Sequence, residues 1–388
     1  MLYSPAFFAL FAANLAIVAS FTCYFLFPLF ITAHGGNTAD IGLLMGIFAL
    51  ASAACRPWIS PLIDRFGRKH CFTAGCVIMV LMPLSYPLFD QTPLPLLQLC
   101  VIRAAHGIGM AICFTSVFTF AADLVPETRL NEGIGIFGVS GLFGIAVGPM
   151  FAEWAYQGWG SQGLFYTSTL LASAALVVHL PLQDRIGAQL HTTTQPGFFR
   201  LLMQPRHACV ALLAGLFGLG VSTSGNFIAP LCEQRQLDLV TPFFVSYSLA
   251  AITSRLFIGR LADRVGERRV LPWAFLVCGV GLLLVLPASS YFMMALAGFV
   301  CGAGHGLLFP TLNTLAIRDI PASYRGRVTG IFTGAIDTGI FLGSVSLGAI
   351  AKFLPLSALF LLAGLVMLIT WGLIYRNDRP LPQKKGPT

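Results

Sequence analysis

Charge is what this sequence has least of. Only 10% of its 388 residues are Asp, Glu, Lys or Arg, where a soluble domain carries about 25%. The chain is 56% hydrophobic, and a soluble fold could not hide that much. Even domains of about 300 residues leave roughly a quarter of the chain's surface exposed. A soluble protein is therefore excluded, and an integral membrane protein is expected. Acid is scarcer than base, with 15 Asp plus Glu against 23 Lys plus Arg and a net charge of +8. No nucleic-acid partner is inferred from that excess, because most of the basic residues fall in short connectors on one side of the apolar runs. The ten cysteines lack any CxxC or metal-like pairing, so neither a disulfide framework nor a metal site is expected. They read as small core residues. A glycine-rich phosphate loop ending in Lys-Ser or Lys-Thr is also missing, which leaves ATP hydrolysis without a home. No nucleophile–base constellation stands out, so neither an enzyme nor a cofactor is expected.

What the sequence does have is long apolar runs. A spanning helix needs about 20 apolar residues, and twelve runs qualify. They are 6–33, 39–62, 71–90, 94–122, 131–156, 163–181, 207–232, 240–262, 270–288, 291–317, 327–351 and 355–375. The first has no basic residue ahead of it and is too long for a signal peptide, so it reads as the first span. Arg235 and Lys352 fall on the side poor in positive charge, and Arg56, Arg103 and Arg255 lie inside apolar runs. Retention of Lys and Arg in cytoplasmic loops then places both termini in the cytoplasm.

The chain repeats itself. Arg56 recurs as Arg255, Asp64-Arg65 as Asp263-Arg264 and His106-Gly107 as His305-Gly306, all at an offset of 199. Beyond the fourth run the offset becomes 195, where Gly135-Ile136-Phe137 recurs as Gly330-Ile331-Phe332. An ordered series that shifts only across loops reflects two parallel six-helix units. The expected divisions are 1–181 and 207–376, joined by a cytoplasmic linker over 182–206 and followed by a tail over 377–388. Transporters built this way bind substrate between the repeats, near the midplane.

Two connectors match as well. Ser60 to Lys69 reads SPLIDRFGRK, and Gly259 to Arg269 reads GRLADRVGERR. Each combines an acid, several bases and a glycine that permits a sharp reversal. The fifth run carries Gly135, Gly144 and Gly148-Pro149 at fixed spacing. Such a small-residue face lets two helices approach closely, and the proline can bend its helix.

On these residues the chain resembles the Major Facilitator Superfamily over essentially its whole length. The resemblance implies an all-α membrane protein, with twelve transmembrane helices in two pseudo-symmetric six-helix bundles. The connectors resemble that family's gating turn, which implies gating roles for Asp64, Arg65, Gly67, Arg68, Asp263, Arg264 and Gly266; Ser60 and Glu267 depart from its pattern. Arg103 with Gly107 is similar to an element linked to proton coupling. The glycine spacing of the fifth run is similar to that of antiporters. Two stretches, 121–138 and 325–344, resemble twelve-helix bacterial drug, arabinose and metallophore exporters.

Several residues carry two readings each. Arg103 is either a buried helix-to-helix donor or a proton-linked group. His106 and His305 are either packed and neutral or proton carriers. Asn14, Asn226 and Asn313 either bind substrate or join helices. Tyr24, Phe27 and Phe227 either wall a cavity or fill the core, and Glu153 reads as a vestibule residue. Arg56 lies eight residues before Asp64, about 12 Å up its helix. Asp337 lies ten residues beyond Arg327, about 15 Å up the eleventh. A lone ion at that depth is costly, so a contact between them is expected. Arg255 has no matching acid, because Leu142 stands where Asp337 would map.

The expected protein is a monomeric secondary transporter of the cytoplasmic membrane, exporting a small organic solute in exchange for protons. Asp337, Arg103 and His106 are the proton-coupling candidates. Arg56, Arg255, Asn14, Tyr24, Asn226, His305 and Asn313 are the cavity candidates. The alternatives are a proton-coupled importer of an organic anion and a non-transporting membrane sensor.

Overall fold

A computed structural model describes residues 4–90, 93–126, 129–183, 197–257, 266–317, 320 and 322–377. Every element among them is helical. In chain order they are α1 (Pro5–Thr22), α2 (Phe27–Ala33), α3 (Thr38–Phe66), α4 (Arg68–Ser85), α5 (Leu96–Leu124), α6 (Leu130–His179), α7 (Phe198–Leu202), α8 (Pro205–Gln234), α9 (Thr241–Phe257), α10 (Glu267–Leu284), α11 (Tyr291–Ile317), α12 (Ala322–Ile350) and α13 (Leu356–Asn377).

These helices supply twelve legs. Among the described residues, nine helical stretches are long and apolar enough to cross a membrane. One of them, Glu132–His179, holds two of the expected spans. The eighth and ninth spans are α9, with 17 described residues, and α10, which opens on Glu267, Arg268 and Arg269. Large apolar side chains point outward, such as Trp58 at 68% and Phe353 at 86% exposure. In water such a surface would be an aggregation hazard; in hydrocarbon it is the solvent-facing side.

Two legs differ from expectation. The first is broken by a 3-10 turn, Cys23–Leu26, between α1 and α2. Short 3-10 stretches inside helices often mark strain or a hinge. The fifth and sixth runs have no separate connector, because α6 stays helical through it except at Gly160, φ 61°. Only glycine adopts that conformation cheaply. Gly163 then lies against the Ala155 carbonyl, so the two arms fold back on each other.

The matched connectors turn at matched glycines. Gly67 (φ 89°) separates α3 from α4, and Gly266 (φ 94°) precedes α10. An even number of legs brings the start of α1 and the end of α13 to the end where these turns lie, called here the terminal end. At the opposite, far end, α3 starts on a reciprocal cap. Asn37 Oδ1 accepts from Ala39 N, and Asp40 Oδ2 accepts from Asn37 N, both at 2.8 Å. That arrangement satisfies backbone donors the helix itself cannot.

The two halves meet along α3 with α12 and along α6 with α9. Part of this contact is close. A methyl at Gly46 would stand 2.9 Å from Val345, and the rings of Phe25 and Phe244 stack at 4.8 Å. Glu153 of α6, 6% exposed, accepts from the Val240 amide at 2.5 Å.

Candidate functional site

Arg56 and Asp337 meet where α3 packs on α12. The guanidinium donates to Asp337 Oδ2 from Nη2 at 2.8 Å and from Nε at 3.1 Å. Ser52, one turn earlier on α3, donates to the same oxygen at 2.7 Å. Arg56 Nη1 donates to Thr115 Oγ1 on α5 at 3.3 Å, and the guanidinium lies 5.8 Å from the Phe114 ring centre. Three donors thus converge on one carboxylate oxygen, with charge assisting each bond. The side chains are 7% and 16% exposed. Close approach is possible because Gly334 has no side chain: a Cβ there would already touch Arg56 Cγ at 3.5 Å. The pair joins one half to the other, and neutralising the acid would remove its Coulombic part.

Arg255 is the repeat-mate of Arg56 and sits on α9. Its Nη1 lies 2.5 Å from where a Cβ on Gly138 of α6 would stand, so this arginine too reaches across to the opposite half. Its guanidinium lies 5.8 Å from the Phe309 ring centre. It has no ion-pair or hydrogen-bond partner among the described residues, and its Nε is buried. Nearby on α11, His305 Nδ1 pairs with the Tyr247 hydroxyl of α9. Asn313 Oδ1 is buried without a partner.

Arg103 has a different setting. It is fully buried on α5 and donates from Nε to the Leu44 carbonyl of α3 at 3.0 Å. Its guanidinium stands 4.5 Å from the Phe48 ring centre, 5.0 Å from that of Tyr24 and 5.3 Å from that of Phe27. Such faces attract a desolvated cation by about 2 kcal/mol or more. His106, one turn on, is buried with neither ring nitrogen bonded, and its ring stands edge-on to Tyr24 at 4.8 Å. The bond to Leu44 links α5 to α3, while Arg103 Nη1 is buried without a hydrogen-bond partner among the described residues.

The remaining candidates divide. Asn14 Nδ2 donates to Ser140 Oγ at 2.6 Å, joining α1 to α6. Asn226 Nδ2 donates to Ser344 Oγ at 2.7 Å, joining α8 to α12. Both amides, expected in the cavity, are buried helix-to-helix links. Tyr24 likewise belongs to the packed cage around Arg103, and Arg56, expected in the cavity, is held by Asp337. Gly144 and Gly148 pack on α1; a Cβ on Gly144 would stand 2.7 Å from Val18 Cβ. Gly135 makes no such contact. It is exposed with open space around it, which corrects its assignment to packing. Pro149 lies inside α6, whose backbone leaves helical geometry only at Gly160.

At the gating turns, Arg68 Nε pairs with Asp123 Oδ2 at the end of α5, 2.8 Å away. Arg65 is exposed and lies over its neighbour Phe66. The side chain of Asp64, and all of Asp263 and Arg264, lie outside the described residues. At the far end a cavity of about 890 Å3 opens between the halves, lined by Glu153, Tyr156 and Glu233 among others.

Sequence reasoning missed Ser52, Thr115 and Tyr247 as partners. Ser52 had a signal, since it lies four residues before Arg56 on the same stripe. Thr115 and Tyr247 had none, because their roles arise only from packing between helices.

Comparison with known proteins adds the family context. The Major Facilitator Superfamily profile matches residues 9–246 and 210–388. An uncharacterised MFS-type transporter of Methanocaldococcus jannaschii is 23% identical over 366 residues, covering 88% of this chain and 89% of that one. Multidrug resistance protein MdtG of Serratia proteamaculans is 23% identical over 338 residues, covering 81% and 78%. Among solved structures, a point mutant of the nucleoside transporter NupG superposes with a TM-score of 0.77 at 13% identity, covering 96% of this chain and all of that one. The human organic anion transporter MFSD10 reaches 0.71 at 15% identity, with the same coverage.

Proposed function

Because the chain belongs to the Major Facilitator Superfamily, whose members are transporters rather than enzymes, we propose that it exports a small organic solute across the cytoplasmic membrane in exchange for protons. The observation that carries this reading is the Arg56–Asp337 pair. It joins the two halves at the face where they must separate for the site to open toward the terminal end. With Asp337 ionised, the pair and the Ser52 bond hold α3 against α12. Protonation of Asp337 removes the negative charge, so Arg56 is held only by weaker bonds and the halves part more readily. A proton arriving at Asp337 is thereby linked to rocking of the halves, which is the coupling an antiporter needs.

Export, rather than uptake, draws support from two things. Gly144 and Gly148 of α6 keep the antiporter-like spacing and pack on α1. One similar protein is named for multidrug resistance. In the proposed cycle Arg68, Gly67 and Gly266 shape the turns that close when the terminal end closes.

The test has two stages. Metabolites secreted and retained by a deletion strain identify the solute. Everted membrane vesicles with an imposed proton gradient then measure its movement. Proton-driven accumulation is expected for the wild-type chain. Loss of that drive is expected in Asp337→Asn, with gradient-free solute exchange retained. Unchanged pH dependence in the mutant would refute the coupling, and accumulation driven fully by sodium with the proton gradient collapsed would refute proton exchange.

A further inference from the structure

The internal repeat gives each arginine a built-in control. Around Arg56 the partners are Asp337, Ser52, Thr115 and the Phe114 ring. Mapped through the offsets of 195 and 199, the same positions around Arg255 hold Leu142, Ala251, Thr314 and Asn313. The acid has become an aliphatic side chain and the serine an alanine. The arginine itself is kept, and it still crosses to the opposite half, against Gly138. It is a cation without a counter-ion among the described residues.

Such a group is expensive. A charged side chain deep in a membrane protein is costly unless it meets a partner or water, and Arg255 is half-buried with its Nε shielded and unbonded. Thr314 makes no bond to it, and the Phe309 face at 5.8 Å supplies only part of the compensation. At the position equivalent to Phe114 the repeat holds Asn313, whose Oδ1 is buried and unbonded among the described residues. Loss of the acid and loss of the serine leave Arg255 without the two partners that hold Arg56 at the interface of the halves.

We propose that Arg255 is the binding residue for the negative charge of the transported solute, and that this solute is a small organic monocarboxylate. This rests on the transporter reading above and specifies its substrate class. The guanidinium fork matches a carboxylate in a bidentate geometry. The Phe309 ring and the bare backbone of Gly138 flank the guanidinium with apolar surface that suits the organic part. A single uncompensated cation balances one negative charge, so a monoanion is favoured over a dianion or a cation. Because the ligand meets Arg255 on one half and the Gly138 surface on the other, its binding bears on the same interface that Arg56 and Asp337 control.

Equilibrium binding to the purified full chain, with no ion gradient, tests this apart from proton coupling. The probes are benzoate, its neutral isostere benzamide and its cationic isostere benzylamine. Benzoate is expected to bind saturably at or below about 10 mM, and at least about tenfold tighter than either isostere. Arg255→Gln is expected to weaken benzoate about tenfold or more, with Arg255→Lys partly restoring it. Gly138→Ala is the variant that spares the fold. The added methyl meets only the tip of the Arg255 side chain, so it displaces the guanidinium without moving backbone, and benzoate should again weaken. Equal binding of benzamide or benzylamine would overturn the proposal. So would wild-type affinity in Arg255→Gln, or no saturable benzoate binding at all. None of these results depends on whether Asp337 carries protons.

Discussion

Arg103 and Arg56 are two buried arginines of the same half, and they are neutralised in opposite ways. Arg103 is fully enclosed by Tyr24, Phe27 and Phe48, all in its own half, and its one backbone acceptor is Leu44. Arg56 lies at the seam between halves and depends on an acid supplied by the other one. An aromatic cage has no protonation state to change, and it need not come apart when the halves move. An ion pair across a seam has both properties. The difference places the contacts of Arg103 within its own half and those of Arg56 with Asp337 across the two, which is what the proposed role of Arg56 in the movement requires.

The largest effect is expected at Arg56. Arg56→Met should leave Asp337 as an uncompensated acid and lower stability by about 3–5 kcal/mol, less to the extent that the acid protonates. Adding Asp337→Leu should restore most of the loss. Thermal unfolding of the purified chain at neutral pH reads both, and a double variant no more stable than the single one would show that the pair is not the source.

At Arg103 the expected pattern is different. Arg103→Ala should cost about 3 kcal/mol because it empties the cage. Arg103→Met should cost about 1 kcal/mol or less, since an apolar chain of similar length fills the same space and no acid is left unpaired. The same melting experiment separates the two substitutions. Equal losses would mean that the charge, not the volume, is what the cage needs.

A smaller contrast lies along α6. Gly148→Ala forces a methyl toward the α1 backbone at Ala19 and the Thr22 hydroxyl, and should cost about 1–3 kcal/mol. Gly135→Ala, with open space around it, should be neutral or stabilise by up to about 1 kcal/mol through helix propensity. The smallest expected effect is at Asn14. Asn14→Ala removes the bond to Ser140 and should cost about 1 kcal/mol.

Much of this was legible in the sequence. Run lengths located the twelve legs, and the matched connectors pointed to Gly67 and Gly266, both of which adopt positive φ. The Arg56–Asp337 contact followed from depth along two helices, a one-dimensional property that 1.5 Å per residue converts into position. The cage around Arg103 was not legible, because its rings come from the α1–α2 junction and α3 and meet only through packing. Nor was the role of Asn14 or Asn226, since an amide in a helix reads alike whether it faces a cavity or a neighbouring serine. Glycine spacing likewise could not tell Gly135, beyond reach of α1, from Gly144 and Gly148 against it.

The central claim is that protonation of Asp337 loosens α3 from α12. Spin labels at Leu62→Cys and Gly326→Cys, both exposed positions near the terminal end, report that separation once the exposed Cys209 is replaced by Ser. Electron–electron distances in the wild-type background are expected to lengthen as the pH is lowered and Asp337 takes up a proton. In Asp337→Asn they should already be long at the higher pH and stay there. An equal pH-dependent shift in Asp337→Asn would contradict it.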